Sequence, residues 1–229
     1  TGIVSFAVAS PDTKYAGMVE PPVNVDITDN DTAAFIVAPL AGLSVDETAA
    51  TSTTYTVRLA TQPAANVVVT PGNSDGQVTV GPATLTFTPL NWNTDQTVTV
   101  TAVDDPLVET PSHTGLVTNA VSGLDPQYSL LTIADQSIAI ADNDTPGMTI
   151  APLVTTATEG AATGSYTIVL TAQPTGNIVV NPAPNAQVTV APAGPITFTN
   201  ANWNTPQTIT VTAADDAIDE GAHMGLVSH

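Results

Sequence analysis

The stretch "TFTPLNWNTDQTVTVTAVDD" at 86–105 returns as "TFTNANWNTPQTITVTAADD" at 197–216. Inside the first copy Val98, Val100 and Ala102 alternate with Thr97, Thr99 and Thr101. A period of two with β-branched residues marks a strand with one buried face. "TYTVRLA" and "QSIAIAD" alternate too, while "NVVVT" is continuously apolar and suits burial on both faces. Turn-forming clusters such as "TPGNSDGQ" and "PLNWNTDQ" separate the runs, and no segment carries a helical apolar stripe. About seven short strands in a repeat of this size predict an all-β protein of antiparallel, immunoglobulin-like β-sandwiches.

The repeat extends outward from that stretch. "YTVRLATQPAANVVVTP" (55–71) returns as "YTIVLTAQPTGNIVVNP" (166–182), and the opening "TGIVSFAVASPDTKYAG" matches "TGLVTNAVSGLDPQYSL" from Thr114. Asp-Asn-Asp-Thr stands at 29–32 and again at 142–145, each time leading into an apolar run. A fixed period is the signature of a tandem array. The expected organisation is the last strands of one repeat (1–31), a complete sandwich (32–144) and the head of a further repeat (145–229), with no linker between them. Starting at Thr1 without a signal peptide, the chain reads as an excerpt or a processed product.

Charge narrows the partners. The 229 residues hold 21 Asp and Glu against two basic residues, Lys14 and Arg58, for a net charge of −19. Phosphate neutralisation needs clustered Lys and Arg, so nucleic acid is excluded as a partner, and an anionic membrane surface is disfavoured likewise. No apolar run is long enough for membrane insertion as a helix. Without cysteine there is neither a disulfide nor a thiolate metal site. Two trypsin-type cleavage sites suit a protein living among proteases, outside the cell. A single Lys rules out Lys–Asn cross-links as a general stabiliser.

The acids fall in a pattern. Glu47 lies in "SVDET" near the first strand, Asp104 and Asp105 end the "TVTVTAV" strand, Glu109 follows, and Asp142 and Asp144 end the last strand. Strands of a sandwich alternate direction, so these ends can meet at one tip. Asp142 and Asp144, at i and i+2, face the same way in an extended chain. Glu159, Asp215, Asp216, Asp219 and Glu220 repeat the pattern in the second head, and Asp29 and Asp31 repeat the closing pair. Two carboxylates ~4 Å apart repel by about 4 kcal/mol at an effective dielectric of ~20. A hard cation reverses that sign, and calcium, with 6–8 oxygen ligands in flexible geometry, suits the inventory better than magnesium. The alternative is that the acids line solvated loops.

"SVDET", "TYTVRLA", "TLTFTP…QTVTVTAVDDPLVE" and the closing "IAIADND" resemble the Calx-beta domain over essentially the whole chain. That resemblance implies tandem Calx-beta sandwiches binding Ca2+ through Glu47, Asp104, Asp105, Glu109, Asp142 and Asp144. A further family Asp falls near Asp75, where the second head has Asn185. The closing Asp-Asn-Asp, in place of three acids, implies at most two calcium ions per tip.

Other residues carry weaker signals. His113 and His223 precede matching "TGLV" and "MGLV" strands and suit an edge hydrogen bond better than catalysis or zinc. Trp92 and Trp203 suit a plug at the end of the sandwich, or else a sugar-stacking platform. Tyr15 and Tyr128 read as paired core or turn residues. No triad or phosphate-cradling loop points to an enzyme. The expected function is a structural repeat protein of a bacterial extracellular filament, surface layer or adhesin stalk, rigidified by calcium at its junctions. Its partners would be further copies head to tail, with 145–229 complemented by strands 1–31 of the next copy. The alternative is a calcium-dependent adhesin module binding a glycan or protein through tip loops.

Overall fold

The computed structural model describes residues 2–49, 51–109 and 113–229. The chain is all-β, its one helical element among the described residues being a 3-10 turn at Glu47–Ala49. No helix among those residues is long and apolar enough to cross a membrane.

Residues 1–31 contribute a two-stranded antiparallel pair, β1 (Gly2–Val4) with β2 (Val23–Val25). Among the described residues these strands pair only with each other. The next nine strands are β3 (Phe35–Ala38), β4 (Leu43–Asp46), β5 (Ser52–Leu59), β6 (Val67–Asn73), β7 (Val78–Gly81), β8 (Leu85–Phe87), β9 (Gln96–Ala102), β10 (His113–Gly123) and β11 (Gln136–Ala141). They form two sheets, ordered β3-β5-β9-β7 and β4-β11-β10-β6-β8. The inward faces are the alternating ones: Tyr55, Val57 and Leu59 of β5 and Val98, Val100 and Ala102 of β9 meet Val67, Val69, Phe87, Ile138 and Ile140 of the other sheet. Apolar burial of this kind contributes about 1.5–3 kcal/mol per large side chain.

Two expectations are corrected. The sandwich is not wholly antiparallel, since β4 runs parallel to β11 with Ala141 opposite Asp46. "NVVVT" is not buried on both faces, because Val68, between buried Val67 and Val69, is half-exposed.

The remaining strands are β12 (Met148–Ala151), β13 (Gly164–Leu170), β14 (Ile178–Val180), β15 (Ala183–Pro184), β16 (Val188–Ala191), β17 (Ile196–Phe198), β18 (Gln207–Ala213) and β19 (Val227–Ser228). Sheet β12-β13-β18-β16 reproduces the order β3-β5-β9-β7, and β14 pairs with β17 as β6 does with β8. Tyr166, Ile168, Phe198, Ile209 and Val211 build its core. The two halves touch where Gln173 donates its amide to Pro106 O at 2.7 Å.

Trp92 and Trp203 pack against the two cores, and their carbonyls accept from Leu59 N and Leu170 N at 2.9 and 3.1 Å. Both are partly buried. Tyr128 is buried and donates to Thr61 O at 2.9 Å, whereas Tyr15 is exposed, so the two are not equivalent core residues.

Candidate metal centre

The parallel pairing of β4 with β11 builds the site. Both strands stop at the same level, Asp46 opposite Ala141, so the next residues, Glu47 and Asp142, emerge side by side. Asp46 holds the turn that follows: its amide donates to Thr51 Oγ1 at 2.6 Å and its Oδ1 accepts from Thr48 N at 2.8 Å. One oxygen each of Glu47, Asp142 and Asp144 lie within 4.8 Å of one another.

Asp142 and Asp144 meet by a different route from the extended chain expected. The strand ends at Ala141, and Asp142 Oδ1 accepts from Asp144 N at 2.9 Å. This side-chain turn, which Asp favours because its short carboxylate reaches the amide two residues on, folds the closing motif. Asn143 then donates to Asp104 Oδ1 at 3.1 Å. The same turn forms at the earlier motif, where Asp29 Oδ1 accepts from Asp31 N at 3.0 Å.

The loop after β9 turns at Asp105. Asp105 Oδ1 accepts from Leu107 N at 2.8 Å, and Glu109 N donates to Asp142 Oδ2 at 2.8 Å, tying this loop to the closing motif. Glu109 Oε1 accepts from Gln77 Nε2 at 3.0 Å, and its Oε2 approaches His113. Glu47, Glu109 and His113 form a second group of ligand atoms within 4.8 Å.

In the second head Glu159, Glu220 and His223 form the equivalent group. Glu220 Oε1 accepts from Gln187 Nε2 at 3.1 Å, as Glu109 does from Gln77, and Asp216 Oδ1 accepts from Ile218 N at 2.7 Å, as Asp105 does from Leu107. Among the described residues, Asp29, Asp31, Asp104, Asp105, Asp215, Asp216 and Asp219 join no such group.

Electrostatically the first tip is frustrated. Glu47 is 1% exposed, yet among the described residues its Oε1 has no hydrogen-bond partner, and neither has Asp144 Oδ2. Burial pushes Glu47 above the usual carboxylate range; His113 pulls against this, while Asp142, Glu109 and Asp105 push further. Asp144 is raised by burial, then by Asp142, Asp104 and Asp105. A buried carboxylate among carboxylates is costly unless a cation or proton joins it. The donor set, oxygen-only at Glu47, Asp142 and Asp144, fits a hard divalent ion.

Asp75 belongs elsewhere. Its two oxygens accept from Gln77 N at 3.1 Å and Leu116 N at 2.7 Å, and Asn185 Oδ1 does the same with Gln187 N and Leu226 N at 3.3 and 3.2 Å. An amide can replace this carboxylate because only acceptance is required. Asp75→Ala is expected to cost about 1–2 kcal/mol in chemical denaturation by freeing two backbone donors, with calcium affinity unchanged.

The histidines join these groups, a placement the sequence reading did not expect. Their signal was positional: each follows a loop Glu, Glu109 or Glu220, by one helical-turn distance and opens a matching Gly-Leu-Val.

No family model and no curated protein matches the chain. Among solved structures it is similar to the YadV chaperone, at 10% identity and a TM-score of 0.34 over 84% of this chain and 90% of that one. It is also similar to a chain of the CsuC–CsuE chaperone–tip adhesion subunit pre-assembly complex of Acinetobacter baumannii, at 11% identity and a TM-score of 0.31 over 85% of this chain and 93% of that one. The E. coli chaperone DraB follows at 12% identity and a TM-score of 0.34, over 78% and 86%. These neighbours overturn the expected roles. By name they are chaperones, alone or in complex with a tip adhesin, and none is a Calx-beta filament or surface-layer protein joined head to tail to copies of itself. Both the filament expectation and its adhesin alternative are therefore withdrawn. The likeness itself is one of all-β fold and transfers no chaperone activity to this chain.

Proposed function

We propose that the chain is a non-enzymatic, calcium-binding β-sandwich protein of Calx-beta type, working outside the cytoplasm with a protein partner. The observation that carries this reading is Glu47, 1% exposed, with an unpartnered Oε1 beside Asp142 and Asp144. Glu47, Asp142 and Asp144 would hold the ion, with Glu109 and Asp105 adjoining. The motifs quoted from 43–144 support the family. A net charge of −19 argues for a cation-rich setting, and extracellular calcium modules bind in the 10⁻⁴–10⁻³ M range. A protein partner suits the exposed edge strands, which offer main-chain pairing, better than nucleic acid suits so acidic a surface.

Melting in chelator against melting in calcium tests this. At a hundredfold excess over the dissociation constant, calcium is expected to stabilise the fold by about 2.7 kcal/mol. For a sandwich of this size that is a rise of roughly 10 °C, with magnesium giving less. An unchanged melting temperature would overturn the proposal.

A further inference from the structure

We infer that each head carries a second metal subsite of different chemistry, a Glu–Glu–His site for a borderline divalent transition ion such as zinc. Its ligands are Glu159, Glu220 and His223 in one head and Glu47, Glu109 and His113 in the other. It goes beyond the calcium reading: it shares Glu47 with that site, but its defining ligand is an imidazole nitrogen, which calcium does not favour.

The second head shows the geometry most directly. His223 Nε2 lies 3.3 Å from Glu220 Oε2 and 3.7 Å from Glu159 Oε1. Donor atoms bonded tetrahedrally to zinc at about 2.1 Å stand about 3.4 Å apart, so these separations bracket the span required. The other ring nitrogen, Nδ1, is 3.1 Å from Gly221 O. A ring N–H given to a backbone carbonyl is the arrangement that orients a metal-binding imidazole and leaves its second nitrogen free for the ion. Gly221 has φ +65, a conformation that suits glycine and shapes the turn carrying this carbonyl.

The first head repeats the set in a more enclosed setting. His113 Nε2 is 3.6 Å from Glu47 Oε1, and its Nδ1 is 2.7 Å from Glu109 Oε2. Among the described residues Glu47 Oε1, Glu109 Oε2 and both nitrogens of His113 are closed off from solvent without a hydrogen bond, Glu109 Oε2 standing at ion-pair distance from Nδ1. Buried polar atoms are almost always partnered. An ion here would take one ring nitrogen of His113 with one oxygen each of Glu47 and Glu109, ligand atoms that lie within 4.8 Å of one another. Glu47, 99% buried with an unpartnered Oε1 among the described residues, is the enclosed member of that group. The recurrence of two Glu and one His at matching places, on loops that otherwise differ in sequence, argues for a common ligand.

The test is zinc titration by calorimetry into the chelator-treated full chain, with and without excess calcium. It compares wild type, His113→Gln/His223→Gln and Asp142→Asn/Asp144→Asn. Wild type is expected to bind zinc at two sites. The histidine double variant should weaken zinc by more than the ~10–100-fold that loss of even an outer-shell partner causes, while retaining its calcium response. The aspartate variant should lose calcium and keep zinc. His223→Gln alone, on an exposed loop, guards against misfolding and should remove one zinc site. Absence of saturable zinc binding, or zinc affinity indifferent to both His substitutions, would overturn the inference whatever calcium does.

Discussion

Glu47→Gln is expected to raise the melting temperature of the metal-free chain and to erase its response to calcium. In the metal-free fold Glu47 is buried, its Oε1 is unpartnered, and Asp142, Glu109 and Asp105 all raise the cost of its charge. Gln keeps the shape, removes the charge and offers an amide donor to the neighbouring carboxylates. Relief of one unsatisfied buried group is about 1–3 kcal/mol, or several degrees for a sandwich of this size. With calcium the order reverses, since the variant forfeits the roughly 2.7 kcal/mol that the ion supplies at hundredfold excess. Melting curves of both proteins with and without calcium check this crossing. Destabilisation by Glu47→Gln in both conditions would mean that the carboxylate is structural.

Asp125→Ala should be the more damaging change. Asp125 is 2% exposed and its carboxylate accepts from Gln127 N at 2.8 Å, Tyr128 N at 3.0 Å and Ala64 N at 2.7 Å. It thereby seats Tyr128, whose ring packs edge-on to Phe35 with centroids 5.4 Å apart. Stranding three backbone donors and loosening this corner should cost roughly 3 kcal/mol in denaturant unfolding. The pH dependence carries a sign of its own. Burial works to raise Asp125, but the amides of Tyr128, Gln127, Ala64 and Ala65 outweigh it and hold the carboxyl below its usual range. Its contribution is therefore complete above the unfolded value of ~3.9 and is lost as pH falls through the folded one.

Glu47 and Asp144 run the opposite way, because both are raised. Their contribution is present below their unfolded values, ~4.3 and ~3.9, and is lost as pH rises through the folded ones. Metal-free stability should thus decline as pH rises from those unfolded values through the folded ones. Calcium should abolish the decline, and unfolding midpoints across pH with and without it measure both effects.

The strand faces were legible because Val98, Val100 and Ala102 alternate strictly with Thr, and burial follows that alternation. Glu47 and the closing acids could be brought to one tip from the alternating direction of strands in a sandwich. What brings them together was not legible: nothing in "LSVD" announces a parallel partner, since parallel pairing is set by how distant strands stack in the sheet. The turn at Asp142 escaped for a related reason, as two acids spaced i, i+2 suit a strand face as well as a side-chain cap. Asp75 was read towards a ligand, but its oxygens are spent on backbone amides. His113 and His223 became informative only when folding set them against Glu109 and Glu220. The biological role was least legible, because repeats and acids describe a scaffold and a charge rather than what either meets.

Calorimetric titration of calcium into the chelator-treated full chain, beside Glu47→Gln, is the most direct measurement. Saturable binding near 10⁻⁴ M in the wild type, lost in the variant, is the predicted result. Absence of saturable heat in the wild type, or equal binding by both proteins, would contradict the account.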